Sequence, residues 1–87
     1  AQTVEERQQE AERLLELGIE QYGQSQFREA LQSWERALEI YRAIGDKAGE
    51  GRTLNNLGNV YRNLGEYAEA EQYFLQSLEI AREIGDK

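Results

Sequence analysis

Apolar residues recur along this chain at spacings of three and four positions, and each series is followed by a glycine. In the second half, one series runs from Leu54 to Leu64 and the next from Tyr67 to Ile84. Such spacing places the side chains on one face of a helix, and glycine is common just past a helix end. The pattern therefore predicts four helices, at about 3–23, 26–44, 47–64 and 66–84.

The two halves of the chain repeat each other with a period of 40 residues. The matched positions include the pairs Leu14 and Leu54, Leu17 and Leu57, Gly18 and Gly58, Ala30 and Ala70, and Trp34 and Phe74. Ile-Gly-Asp-Lys occurs at 44–47 and again at 84–87. Self-similarity of this kind indicates repeated supersecondary units. We therefore expect one domain of two helical hairpins, unit 1 at about 3–45 and unit 2 at about 46–87.

A glycine in the first helix of each hairpin is expected to serve packing, because glycine in a helix interior costs roughly 1 kcal/mol relative to alanine. Together with the matched alanine of the second helix, it would let two backbones approach, with Trp34 or Phe74 beside the contact. In unit 1, the face predicted to pack consists of Leu14, Leu17, Gly18 and Gln21.

The second unit resembles the signature of the tetratricopeptide repeat. The matching residues are Leu54-x-x-Leu57-Gly58-x-x-Tyr61, followed by Gly65-x-Tyr67-x-x-Ala70-x-x-x-Phe74. The first unit is similar, but it has Gln21 where the family usually has Tyr and Ser25 where it often has Gly. Neither unit has the closing proline, and the period exceeds the standard length of roughly 34 residues.

The Ile-Gly-Asp-Lys ending is similar to the 40-residue variety found in G-protein-signalling modulators and bacterial multi-repeat proteins. The resemblance implies an all-α fold, in which helix-turn-helix units stack into a right-handed superhelix, an α-solenoid fragment. It also implies a protein–protein interaction module, with a concave groove formed by the first helix of each unit. Since such units bury their faces against neighbours, we expect either a fragment of a longer repeat protein or a designed one.

By position, the resemblance assigns the groove of unit 2 to six polar residues: Arg52, Asn55, Asn56, Asn59, Arg62 and Asn63. Asparagine both donates and accepts hydrogen bonds, and arginine binds carboxylates with two parallel bonds. We therefore predict a partner protein or peptide with acidic groups. A solvated helix face that happens to be rich in asparagine is the alternative interpretation.

Two further sets of apolar residues are predicted to form interfaces. The first is a strip in unit 1 of Leu15, Ile19 and Tyr22, and the second lies on the last helix: Tyr67, Phe74, Leu78, Ala81 and Ile84. An exposed apolar patch usually marks a contact surface. The strip could bind a ligand, contact an upstream repeat, mediate self-association or be buried within the chain. In isolation we expect a homo-oligomer, formed by end-to-end stacking or by helix exchange, and self-assembly without a separate ligand is the alternative function.

Composition argues against several other classes of function. The net charge of −7 opposes binding to nucleic acid or to anionic membrane surfaces. Because His and Cys are absent, the common ligands of zinc and the usual bases and thiol nucleophiles are missing, and we predict no metal or other cofactor. The glutamates have helical spacing to basic neighbours, which suits a solubilising surface better than an active site, so we expect no enzyme activity. No apolar run approaches the roughly 20 residues of a membrane span, and the first residues do not resemble a signal peptide, so the predicted location is the cytoplasm.

Overall fold

The computed structural model describes residues 1–85, which form four helices and no strand. The helices are α1 (Val4–Gly23), α2 (Phe27–Ile44), α3 (Lys47–Asn63) and α4 (Tyr67–Gly85). Each predicted helix boundary lies within one residue of the observed one. The helices pack as two hairpins, α1 with α2 and α3 with α4, and α3 joins the hairpins by packing mainly on α2. The prediction of an all-α, solenoid-like fold is confirmed, and residues 86 and 87 of the expected second unit lie outside the described part.

Local chemistry explains where the helices begin and end. The Thr3 side chain accepts a hydrogen bond from the Glu6 amide, and the Glu6 carboxylate accepts one from the Thr3 amide, which together form a capping box. Asp46 caps α3 by accepting a bond of 3.0 Å from the Gly49 amide. Gly45 ends α2 with a φ of 74°, in the left-handed region that glycine adopts without steric cost.

The turns inside the two hairpins have the same conformation although their sequences differ. Gly65, between α3 and α4, has a φ of 79°, and Ser25, forty positions earlier, has a φ of 62°. A residue with a Cβ pays roughly 1 to 2 kcal/mol in this region. The departure from glycine at Ser25 therefore costs energy but does not change the turn.

Within each hairpin, an aromatic ring of the second helix lies directly over a glycine of the first. A Cβ atom built on Gly18 would lie 2.2 Å from Nε1 of Trp34, and one built on Gly58 would lie 2.6 Å from the Phe74 ring. Nε1 of Trp34 also donates a hydrogen bond of 2.9 Å to the Leu15 carbonyl. The glycines thus make room for the aromatic rings themselves. From the sequence, we expected instead that they would allow a close contact between backbones, with the rings beside it.

One apolar cluster spans both hairpins and a second lies within unit 1, and the exposure of two leucines corrects two expectations about α1. Leu15, predicted in an exposed strip, is only 5% exposed and belongs to the cluster that contains Leu54 and Leu57 of α3. Leu17, predicted to pack, is 40% exposed. The matched residue Leu57 is fully buried because α3 lies between neighbouring helices, whereas nothing in residues 1–85 covers the same face of α1.

Tyr41 is fully buried at the contact between the hairpins, and its hydroxyl has no hydrogen-bond partner among the described residues. A buried polar group without a partner costs roughly 1 to 3 kcal/mol. We therefore expect Tyr41→Phe to raise the free energy of unfolding by about 1 kcal/mol, because it removes the hydroxyl and keeps the ring. Urea denaturation followed by circular dichroism measures the change. A variant less stable than the parent would show that the hydroxyl contributes to the fold.

Candidate functional site

A cleft of about 720 Å³ runs along α3 between α1 and α4, and we call it the α3 cleft. Its walls are mostly apolar, and its polar groups lie mainly on α3. The lining residues are Leu15 and Ile19 of α1, Ala48, Gly51, Arg52, Asn55 and Asn56 of α3, and Ser77, Ile80, Ala81, Ile84 and Gly85 of α4. The volume lies within the range of about 300 to 1,000 Å³ that is usual for ligand pockets, and walls that are mostly apolar with a few polar groups are common in them.

Three of the six polar residues predicted for the groove line the α3 cleft: Arg52, Asn55 and Asn56. Arg52 and Asn55 are exposed, and Asn56 is half-buried. Four residues of the two predicted apolar sets line the same cleft: Leu15, Ile19, Ala81 and Ile84. Part of the polar set and part of the apolar sets therefore line the same cleft. From the sequence, these sets were predicted to form separate surfaces.

The other three polar residues form a second group, nearer to the end of α3. Arg62 donates a hydrogen bond of 3.0 Å to the side chain of Asn59, and its guanidinium lies 5.9 Å from the centroid of the Phe74 ring. The Asn63 amide donates to the Tyr22 hydroxyl and, at 2.9 Å, to the Asn59 carbonyl. These contacts tie the end of α3 to α1 and α4, and none of the three residues lines the α3 cleft.

The remaining apolar residues differ in exposure. Tyr67 and Leu78 are 69% and 48% exposed, and Phe74 is half-buried over Gly58. Tyr22 is half-buried and packs against Trp34, with ring centroids 5.8 Å apart. The outer face of α4 is therefore an uncovered apolar surface, adjacent to the α3 cleft.

Sequence reasoning missed a close contact between α3 and α4 beside the cleft. The Ser77 hydroxyl donates a hydrogen bond of 3.0 Å to the Gly51 carbonyl, and a Cβ built on Gly51 would lie 3.2 Å from Ile80. The 40-residue period contains the signal that could have found them, because Gly51 and Ser77 match Ala11 and Ala37 of unit 1. Both alanines are fully buried, so small residues at these positions mark a close helix contact.

Charge is distributed unevenly around the cleft. Burial raises the pKa of Tyr41, and among the nearby charges Arg52 lowers it, whereas Glu12, Asp46 and Glu16 raise it. These charges are consequently near neighbours: Arg52 belongs to α3, and the two glutamates belong to α1. Glu12 and Glu16 do not line the cleft, and the charged residue among those that line it is Arg52, on α3.

Within residues 1–85, no three or more His, Cys, Asp or Glu side chains are placed so that they could hold a metal ion. No helix in that range combines the length and the apolar character that crossing a membrane requires.

The family of the chain follows from its similarity to a protein-family model. Among curated proteins, no match was found. The model of a protein family described as tetratricopeptide repeat matches residues 10–83, which include most of both hairpins. Members of this family are generally scaffolds for protein–protein interaction and not catalysts. The paired helical hairpins, the glycine–aromatic contacts in each and this match together show that the chain belongs to the tetratricopeptide repeat family.

Proposed function

We propose that this chain is a protein–protein interaction module that holds a partner segment with acidic groups in the α3 cleft. The observation that carries the proposal is the composition of the cleft. Arg52, Asn55 and Asn56 face it from α3, and apolar side chains, among them Ile19 and Ile84, form the opposing walls. A few convergent polar groups within apolar walls are typical of binding sites.

Each part of the cleft has a chemical role in this proposal. The Arg52 guanidinium binds a carboxylate of the partner through charge-assisted hydrogen bonds. Asn55 and Asn56 donate to and accept from peptide groups, and the apolar walls receive apolar side chains. Asn59, Arg62 and Asn63 extend the polar surface along α3 and offer a second cation to a longer partner.

Reversal of the charge at Arg52 should weaken binding of acidic peptides by about tenfold or more, because a charge-assisted bond becomes a repulsion. The probes are fluorescein-labelled decapeptides of glutamate and leucine, and a matched series in which glutamine replaces glutamate stepwise. Fluorescence anisotropy gives the dissociation constant for the parent chain and for Arg52→Glu. Affinity should fall as glutamates are replaced and should depend on salt.

Arg28→Glu is the matched control, since Arg28 is exposed on α2 and does not line the cleft. It changes the net charge by the same amount, so any general repulsion of acidic peptides appears in both variants. Equal loss in the two variants, or no peptide bound by the parent chain, would contradict the proposal. Circular dichroism of both variants verifies that the helices are intact.

Self-assembly without a separate ligand is the second candidate function. It is favoured by the uncovered apolar surface on α4, where Leu78 and Ile84 are 48% and 40% exposed. Because Ile84 also lines the α3 cleft, both candidate functions use adjoining surfaces.

A further inference from the structure

The 40-residue repeat indicates what kind of partner the α3 cleft receives, because the equivalent surface of unit 1 is covered. Asn55 and Ala81 of the cleft are exposed, whereas the matched residues Leu15 and Tyr41 are buried. The covering element in unit 1 is α3, whose Gly49 lies against the Tyr41 ring. The α3 cleft is thus the second occurrence of a surface that accepts a helix of this type.

We infer that the α3 cleft binds α1 of a second copy of this chain, seated as α3 is seated on unit 1. This inference rests on the proposed function, since it takes the cleft as a site for a partner segment and names that segment. Unit 1 of the second copy would follow unit 2 of the first, so that copies stack head to tail. The acidic partner predicted for the cleft is then α1 itself, whose charged residues are mostly glutamates.

Side-chain sizes in the two interfaces are complementary. Between the units of one chain, a large residue faces a small one: Tyr41 packs on Gly49, and a Cβ on Gly49 would lie 2.4 Å from the Tyr41 ring. In the stacked arrangement, the matched residues are Ala81 of the first copy and Gln9 of the second. The small and large positions are exchanged, so Gln9 has the space that the shorter side chain of Ala81 leaves free.

An ion pair between the units has a counterpart between copies. Nε of Arg42 donates to Oε2 of Glu50 at 2.9 Å, which joins α2 to α3. The matched residues are Arg82 on α4 and Glu10 on α1. In the stack, Arg82 of one copy therefore faces Glu10 of the next, and opposite charges fix the register of the contact.

The same comparison identifies one repulsive contact. Arg42 also donates to the Gln76 side chain at 3.1 Å, and the residue matched to Gln76 in unit 1 is Arg36. Arg82 of one copy would therefore lie near Arg36 of the next. Arg36→Gln should restore the favourable contact and tighten the association.

Apolar surface left uncovered in one copy is buried in the stack. Leu57 and Leu38 belong to the shared core, and the matched residues are Leu17 and Leu78, which are both exposed. Stacking places Leu78 of one copy near Leu17 of the next. Removal of this surface from water is the driving force of the association.

Two positions make the contact between copies weaker than the contact within the chain. Thr53 and Val60 of α3 are fully buried, whereas the matched residues of α1 are Arg13 and Glu20. The first turn of α1, at Val4, would extend past the end of α4, since α1 begins earlier than α3 in this alignment. We therefore expect association at chain concentrations of about 0.1 to 1 mM. A head-to-tail contact between two copies leaves one surface free at each end, so species larger than dimers should form.

Sedimentation equilibrium of the 87-residue chain over this concentration range tests the inference. The average mass of the parent chain should rise above the 10.1 kDa of the monomer. Arg82→Glu and Glu10→Arg should each weaken association by about tenfold, the effect expected when an attractive surface pair becomes repulsive. The double variant should recover most of the loss, whereas Arg28→Glu, a charge change outside the interface, should have little effect.

The results of these measurements either support or overturn the stacking of copies. Restoration by the double variant, with tighter association of Arg36→Gln, supports the stacking register. A mass that stays at 10.1 kDa throughout, or association that the single reversals do not weaken, overturns the inference. Binding of acidic peptides is measured at concentrations at which the chain is monomeric. If the chain binds these peptides but does not associate with itself at higher concentration, only this inference is overturned. Failure of those peptides to bind is the separate result that counts against the proposed function.

Discussion

Replacement of Trp34 with alanine should remove most of the free energy of unfolding of the chain. Trp34 is 2% exposed, its ring fills the space over Gly18, and its Nε1 donates to the Leu15 carbonyl at 2.9 Å. Truncation of a buried aromatic residue to alanine costs about 3 to 5 kcal/mol. Small domains have free energies of unfolding near the low end of about 5 to 15 kcal/mol, so little stability would remain. Circular dichroism at 222 nm during urea denaturation measures the loss.

Trp34→Phe separates the packing of the ring from its hydrogen bond. Phenylalanine is the residue that unit 2 has at the matched position, Phe74, so a ring of this kind suits the site. The variant loses the bond to the Leu15 carbonyl and some apolar volume, which should cost about 1 to 2 kcal/mol. If the alanine and phenylalanine variants unfolded at the same urea concentration as the parent chain, the ring over Gly18 would not be central to the fold.

The sequence was sufficient to predict the helices and their ends because the signals for these are local. Apolar spacing identifies a helix from its own residues, and Gly45 and Asp46 mark a boundary through backbone preferences that depend little on the rest of the chain. The repeat added the order of the hairpins. These features therefore required no knowledge of which helix lies beside which.

The exposure of Leu15 and Leu17 could not be predicted from such local signals. Both are leucines on α1, and periodicity alone does not say which face another hairpin covers. The answer depends on where α3 packs, and the buried equivalent of Leu17, Leu57, shows that the same position has a different exposure in each unit. Matching the two units residue by residue predicts which side chains can be buried. It does not predict whether another helix is present to bury them.

The candidate site was predicted in part for the same reason. The family resemblance assigned six polar residues of α3 to a groove, but it did not show that Arg62 would lie over Phe74 while Arg52 faced the cleft. The α4 wall, with Ser77 and Ile80, depends on the close approach of α3 and α4 at Gly51. Tertiary contacts of this kind divide one helix face into two surfaces.

Addition of a single methyl group at Gly18 should destabilise the chain by about 2 to 3 kcal/mol, although alanine favours helix over glycine. The new Cβ would overlap the Trp34 ring, with contacts of 2.2 to 2.6 Å to three of its atoms. Trp34 cannot move away easily, since it is buried and its Nε1 is bonded to the Leu15 carbonyl. Overpacking of this kind forces shifts of side chains and backbone, and the urea midpoint of Gly18→Ala measures their cost.

The matched substitution in unit 2 should cost less, about 1 kcal/mol, because its aromatic neighbour is held less tightly. A Cβ on Gly58 would lie 2.6 to 2.9 Å from atoms of Phe74, but Phe74 is half-buried on the last helix and can shift toward solvent. Gly23→Ala is the control for helix preference, since no atom lies within 4 Å of its added Cβ. Equal losses of stability for Gly18→Ala and Gly58→Ala would mean that the Trp34 and Phe74 rings are equally constrained. The greater exposure of Phe74 would then have no effect on how freely its ring can shift.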